Sequence, residues 1–199
     1  MSSRIFLLSP ANCKGRRTQQ VMSPRAAFSL AMRLRSEDGA PIGEIFAHVS
    51  GLYFRGKLTY ANRFGRAFVI TPDSGLVPAE TTITFDVLKR FAEAEISVDN
   101  PRYTLPLQRT AEQLAGRHGD AGEFVLLGSV ASQKYVEILG RVLGPRLTFP
   151  SAFVGRGDMS RGGLLLRAAA AGEELDYVPV LGAVRRGSRP PKLAPLPRR

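Results

Sequence analysis

The apolar positions of the chain fall into two kinds of pattern. Ile5 to Leu8, Ala67-Phe68-Val69-Ile70, Phe124-Val125-Leu126-Leu127 and Arg146 to Phe149 are short, largely apolar runs. Such runs fit strands covered on both faces. Glu44 to Val49, ended by Ser50-Gly51, reads as a further strand, and Asp176 to Val180 as a last short one. Between them, apolar residues recur every three or four positions, the spacing of a helix with one buried face. Ser23-Pro24 reads as a helix start, with Ala27, Phe28, Ala31, Met32 and Leu34 as its stripe and Gly39 as its end. Leu52 to Phe64, Asp86 to Ala94, Lys134 to Leu143 and a segment reaching Ala171 are the other helical stretches. Pro101 to Pro106 reads as irregular, with a helix from Pro106 to about Gly116.

Strands that alternate with helices predict an α/β domain with a mainly parallel sheet, spanning residues 1–181. Right-handed crossovers bring the loops that leave the strands' carboxyl ends to one edge, where open α/β sheets bind ligands. The polar and glycine-rich sequences all follow predicted strands. They are Asn12-Cys13-Lys14-Gly15, Ser50-Gly51-Leu52-Tyr53, Thr71-Pro72-Asp73-Ser74-Gly75, Gly128-Ser129 with Lys134, and Gly155 to Gly163.

The last of these, Val154-Gly155-Arg156-Gly157-Asp158-Met159-Ser160-Arg161-Gly162-Gly163, is the most unusual. Its glycines leave the backbone open to close approach. Asp158 or Ser160 can cap the helix that follows, and Arg156 and Arg161 add positive charge at its N-terminal end. Together they suggest an anion site; the alternative is a tight turn whose arginines pair with nearby carboxylates. Asp73 and Asp158 are the acids of these loops, suited to orienting a water or accepting a ligand's proton. Equally, Asp73 can close its own turn and Asp158 can cap its helix. Asn12 can read a base edge or form an Asx turn. Cys13 lies among these loops but has no histidine in a comparable loop to activate it, and it reads as a packed thiol. Tyr53 can stack on a base or join the core; Lys57 and Tyr60 share a helix face. Ser74, Ser129 and Lys134 complete the candidate ligand contacts.

The charge changes the picture of the partner. The net charge is +11 over 199 residues. Residues 1–35 carry seven basic side chains and no acid, and residues 184–199 carry six and no acid. The excess at both ends suggests a polyanion, most simply nucleic acid. From about Gly182 the chain is basic and proline-rich, reading as a disordered or draped tail over 182–199. One cysteine and two histidines (His48 and His118) speak against a disulfide framework and a zinc site, so no metal or cofactor is expected. No apolar run reaches membrane-spanning length, and the expected location is the cytoplasm. No Walker A spacing and no dinucleotide fingerprint occur.

Several of these segments resemble a known family. The first-strand loop with Cys13, then Leu52-Tyr53-Phe54 with Lys57 and Tyr60-Ala61, then Ile70-Thr71-Pro72 with Gly75-Leu76-Val77, look like a bacterial family of uncharacterised proteins. Leu127-Gly128-Ser129 with Tyr135, and the Gly155 to Gly163 loop, extend the similarity over roughly residues 4–180. That family is grouped with the uracil-DNA-glycosylase-like fold and is similar to a domain of archaeosine synthase. The resemblance implies a three-layer α/β/α fold that handles a nucleobase or nucleic acid. The chain departs from uracil-DNA glycosylases at their water-activating motif, where Ser9-Pro10-Ala11-Asn12-Cys13 stands, and it lacks their late His-Pro-Ser-type motif.

The resulting expectation is a nucleic-acid- or nucleobase-handling protein that cleaves or exchanges an N-glycosidic bond. Asp73, Asp158 and Asn12 would be its readers or catalytic groups, and Lys57, Lys134, Arg156 and Arg161 its phosphate contacts. The alternatives are a non-catalytic nucleic-acid or nucleotide-binding module and an enzyme acting on a phosphorylated metabolite.

Overall fold

The computed structural model describes residues 4–194. A six-stranded sheet forms its centre, in the order β4-β3-β1-β6-β7-β8. The strands are β1 (Ile5–Leu8), β3 (Arg66–Ile70), β4 (Leu76–Pro78), β6 (Phe124–Leu127), β7 (Leu147–Pro150) and β8 (Tyr177–Pro179). The four inner strands are parallel; β4 and β8 close the two edges antiparallel. Every residue of β1 and β6 is buried, as strands covered on both faces require. Two residues each of β2 (Ala40–Pro41) and β5 (Thr82–Ile83) form a separate small ribbon.

Helices cover both faces. Between β1 and β3 the chain forms α1 (Arg16–Met22), α2 (Ser29–Arg35), α3 (Ile42–Ser50) and α4 (Leu52–Phe64). Between β3 and β6 it forms α5 (Phe85–Glu93) and α6 (Pro101–His118), and between β6 and β7 it forms α7 (Gln133–Leu143). Helix α8 (Asp158–Ala171) follows β7 and packs along α4. From β1 the chain crosses to β3 on one side, then to β6 on the other. With right-handed crossovers this puts α4 and α8 on one face and α6 and α7 on the opposite face.

Three helical expectations are corrected. Residues 44–49 are not a strand but the body of α3. Its buried residues Ile42, Ile45, Phe46 and Val49 repeat at helical spacing, which a nine-residue segment rich in Ile, Phe and Val concealed. The helix expected from Ser23 begins only at Ser29, as α2; Ser23 instead ends α1, which precedes the expected start, and residues 23–28 form the turn between the two helices. Residues 101–106 are not irregular: α6 begins at Pro101, where Asn100 Oδ1 accepts from the Arg102 N–H, and Pro106 lies within the helix. Thr110 Oγ1 donates to the Pro106 carbonyl in the turn that follows.

The basic tail is draped, not detached. Gly155, at φ +72°, lies so close to the Ser188 carbonyl that no Cβ fits. Arg156 donates to the Pro191 carbonyl, Arg167 to that of Ala194, and Leu193 lies against Gly163. The tail thus follows the loop before α8 and then the helix itself. Among the described residues, no helix is long and apolar enough to cross a membrane.

Candidate functional site

The chain leaves β1 and β6 toward opposite faces, so their carboxyl ends open a crevice at a topological switch point. Two segments form its floor. Ser9, just past β1, donates its N–H to the Leu127 carbonyl of β6 at 3.1 Å. Gly128, just past β6, lies against Ser9: a Cβ there would stand 2.8 Å from Ser9 Cβ and 3.0 Å from the Tyr135 hydroxyl. The absence of a side chain at Gly128 lets the two loops and Tyr135 close on one another.

Lys57 enters this floor from α4. Its ammonium-bearing end lies 2.7 Å from the Ser9 carbonyl and 2.9 Å from Ser9 Oγ. The same atom lies over two rings of its own helix, 4.6 Å from the Tyr53 centroid and 4.5 Å from that of Phe54. Lys57 is 1% exposed and no carboxylate pairs with it. Burial pushes its pKa down to about 7, against a smaller upward pull from Asp158. An unpaired lysine held in an apolar wall at the carboxyl edge of a parallel sheet is the type of perturbed group found at functional sites.

Tyrosines surround the pair. Tyr135 donates to the Ser129 carbonyl at 3.0 Å and also engages Ser9, and burial raises its pKa. The Tyr103 hydroxyl is buried without a hydrogen-bond partner among the described residues, and that of Tyr53 is buried beside Arg161. Burial pushes the Tyr53 phenol well up, opposed by the positive charge of Arg161.

The sequence candidates divide around this floor. Asn12, Cys13 and Lys14 line a groove of about 270 Å³ with Pro72, Phe91, Glu95, Ile96 and Lys134. Lys134 precedes Tyr135 on α7, so this groove is the outer part of the same edge. Asn12 Oδ1 accepts from the Lys14 N–H in an Asx turn. Cys13 is buried and desolvation pushes its thiol up to about 12, the state of a packed, unreactive cysteine.

Asp73 lines a neighbouring groove of about 630 Å³ with Ser74, Arg90 and Glu95. Its carboxylate accepts from Ser74 Oγ and from Arg90 Nε, both at 2.6 Å, and its side chain is 17% exposed. Thr71 closes this loop by donating from Oγ1 to the Gly75 carbonyl at 2.8 Å. Asp158 lies elsewhere, in the first turn of α8, 68% exposed and 3.4 Å from Arg161. The N-cap is Gly157, and no side chain caps the helix, neither Asp158 nor Ser160. Asn12, Asp73 and Asp158 therefore share the edge but line no single groove.

The two arginines of the glycine loop are engaged by their own chain. Arg161 is buried and turns Nε and Nη2 to the Phe153 carbonyl at 3.3 and 3.2 Å. Arg156 donates to the Ala152 carbonyl at 3.0 Å and to Ser160 Oγ at 3.2 Å. They shape the loop. Ser9 was missed by sequence reasoning. It resembles any serine in a polar turn, and only the fold places it against Lys57 and Gly128.

Among the described residues, no group of three His, Cys, Asp or Glu side chains is arranged to hold a metal. Compared with known protein families, curated proteins and solved structures, the chain matches none.

Proposed function

We propose that the protein handles nucleic acid or a nucleobase-bearing ligand at the switch-point edge, on a scaffold of the uracil-DNA-glycosylase-like kind. The observation that carries this reading is the set of free cations around the crevice. Lys14 and Lys134 both line the groove, and among the described residues neither makes an ion pair. Arg185, Arg186, Arg189 and Lys192 of the draped tail likewise have no acidic partner. Unpaired cations beside a small cleft suit a phosphate backbone outside and a planar base within. In the groove, Phe91 and Ile96 supply apolar wall, while Asn12 and Glu95 supply polar edges for a base.

If an N-glycosidic bond is cleaved or exchanged here, Asp73 is the candidate acid: it lines the neighbouring groove, which shares Glu95 with this one. Held by Ser74 and Arg90, its side chain is positioned to orient a water.

Anisotropy with labelled single- and double-stranded DNA and RNA between 50 and 300 mM salt tests the reading. Affinity should fall linearly on a log–log plot as phosphate contacts release counterions. No binding at the lowest salt rejects it. Release of a base from modified-base oligonucleotides, lost in Asp73→Ala and kept in Asp158→Ala, tests the catalytic part.

A further inference from the structure

Lys57 and Ser9 do more than line a binding edge. We infer that Ser9 is a nucleophile activated by Lys57, forming a serine–lysine pair that transfers the acyl group of a small ester or amide. The inference is independent of nucleic-acid binding.

Four observations support it. The Lys57 nitrogen and Ser9 Oγ are 2.9 Å apart, the reach of a base for its nucleophile. Lys57 also meets the Ser9 carbonyl at 2.7 Å. A neutral amine satisfies both contacts: one N–H donates to the carbonyl, and the nitrogen lone pair receives the Ser9 hydroxyl proton. The setting favours that neutral amine. The Tyr53 and Phe54 rings wall it on its own helix, and Ser9 meets it from the strand end. The charged groups near it are Asp158 and Arg161 from α8, and the remaining titratable neighbours are the Tyr53 and Tyr135 phenols. Asp158 alone favours its ammonium form, and Asp158 is largely in solvent.

The pair also stands at the strand-end edge on which open α/β sheets bind ligands. Ser9 stands at the carboxyl end of β1, in the crevice where the crossovers part. Finally, Tyr135 of α7, whose own proton goes to the Ser129 carbonyl, lies beside Ser9, so the serine is flanked by side chains from two helices, α4 and α7.

The reaction is balanced with water as the only co-reactant. The Ser9 hydroxyl proton passes to Lys57 as Oγ bonds to the carbonyl carbon and the π pair moves to oxygen. Collapse of that adduct breaks the bond to the leaving alcohol or amine, which takes the proton from Lys57. An acyl-Ser9 ester remains. Water, deprotonated by Lys57, attacks it; the acid leaves and Ser9 regains its proton. The Tyr53 hydroxyl, which can only accept from Arg161 and donates to no acceptor among the described residues, has its proton available to the bound acyl compound.

The test uses the full chain with a small fluorophosphonate and, separately, p-nitrophenyl acetate. Peptide mass mapping should place the phosphonyl adduct on Ser9. Its rate should rise about tenfold per pH unit below neutrality and level off above about pH 7 to 8, following loss of the Lys57 proton. Lys57→Met, which keeps the length of the side chain, should label at least roughly 10²-fold more slowly, and Ser9→Ala should not label at that position. No adduct on Ser9, or wild-type labelling in Lys57→Met, overturns the inference. If Lys57→Met fails to fold, the wild-type pH profile decides: a flat rate, or one still rising at pH 10, overturns it. Oligonucleotide binding is scored separately, so loss of one activity leaves the other interpretable.

Discussion

Gly56 of α4 and Gly162 of α8 meet backbone to backbone: a Cβ on Gly56 would stand 2.6 Å from the Gly162 carbonyl oxygen. A Cβ on Gly162 would stand 2.9 Å from both the Leu52 carbonyl and Tyr53 Cα. This contact brings the start of α8 beside Tyr53 and Lys57. Neither backbone can yield as a flexible side chain does. Gly56→Ala and Gly162→Ala should each lower stability by about 1–3 kcal/mol, because the overlap exceeds the gain in helix propensity. Gly140→Ala in α7 has open space instead and should raise stability by about 0.5–1 kcal/mol. Urea midpoints of the three variants check the contrast.

The buried Lys57 links stability to pH. Its native pKa, about 7, lies below the ordinary lysine value of 10.5. Between these values the unfolded chain binds the proton that the folded chain releases. The Lys57 contribution to stability is therefore greatest above 10.5, falls as pH drops toward 7, and is level below that. Subtracting the urea profile of Lys57→Met from that of the wild type removes the titration of tyrosines and Cys13. The difference should change by on the order of a few kcal/mol between pH 7 and 10. A level difference would show that Lys57 is charged at neutral pH.

Arg161 supports the loop before α8 through a geometry that only a guanidinium supplies. Two of its nitrogens serve one carbonyl, that of Phe153, while a third faces Asp158. Arg161→Lys should lower the melting midpoint nearly as much as Arg161→Met, because an ammonium lacks the planar fork. The expected loss is about 1–3 kcal/mol, from losing the charge-assisted bonds to the Phe153 carbonyl, which keeps only the Arg156 N–H. Asp158→Asn should cost much less, since that partner is exposed.

Cys13 should resist alkylation. With its thiol raised to about 12 and its side chain buried, iodoacetamide at pH 8 should leave the native chain unmodified for hours, yet react at once in 6 M urea. Intact mass reads both states. Rapid native modification would mean that the loop at residues 9–15 opens readily.

Charge on the crevice lips should govern any nucleic-acid affinity. Lys134→Glu and Lys14→Glu should each flatten the salt slope by about one, and removal of residues 184–199 should weaken binding most at low salt. Anisotropy titrations at four salt concentrations measure the slopes. Unchanged slopes in all three would place the polyanion contact elsewhere.

The inner strands were legible because continuous apolar runs such as Phe124 to Leu127 have one sensible use, a strand covered on both faces. The mainly parallel α/β arrangement followed from their alternation with helices. Residues 44–49 were not legible as a helix. Ile45, Phe46 and Val49 carry strand-like side chains, and their helical spacing stands out only with Ile42 included. The carboxyl edge of the sheet was legible as the place where the polar loops gather, and Lys57 and Lys134 were marked along it. The pairing of Lys57 with Ser9 was not. It depends on where a side chain from the second turn of α4 ends, a distance no local pattern encodes. The arginines of the glycine loop looked free for a ligand because sequence carries no sign of the Phe153 and Ala152 carbonyls that engage them.

Strand β1 stands in the middle of the sheet, with Ile5 opposite Arg66 on one side and Phe124 on the other. Its neighbours are thus made long after it during synthesis. Until the chain has grown past residue 127, a wholly apolar strand waits with one flank bare, and both loops that carry Ser9 and Gly128 stay apart. Assembly of the sheet and assembly of the crevice are one late event, so a nascent chain stalled before β6 would be a client for chaperones.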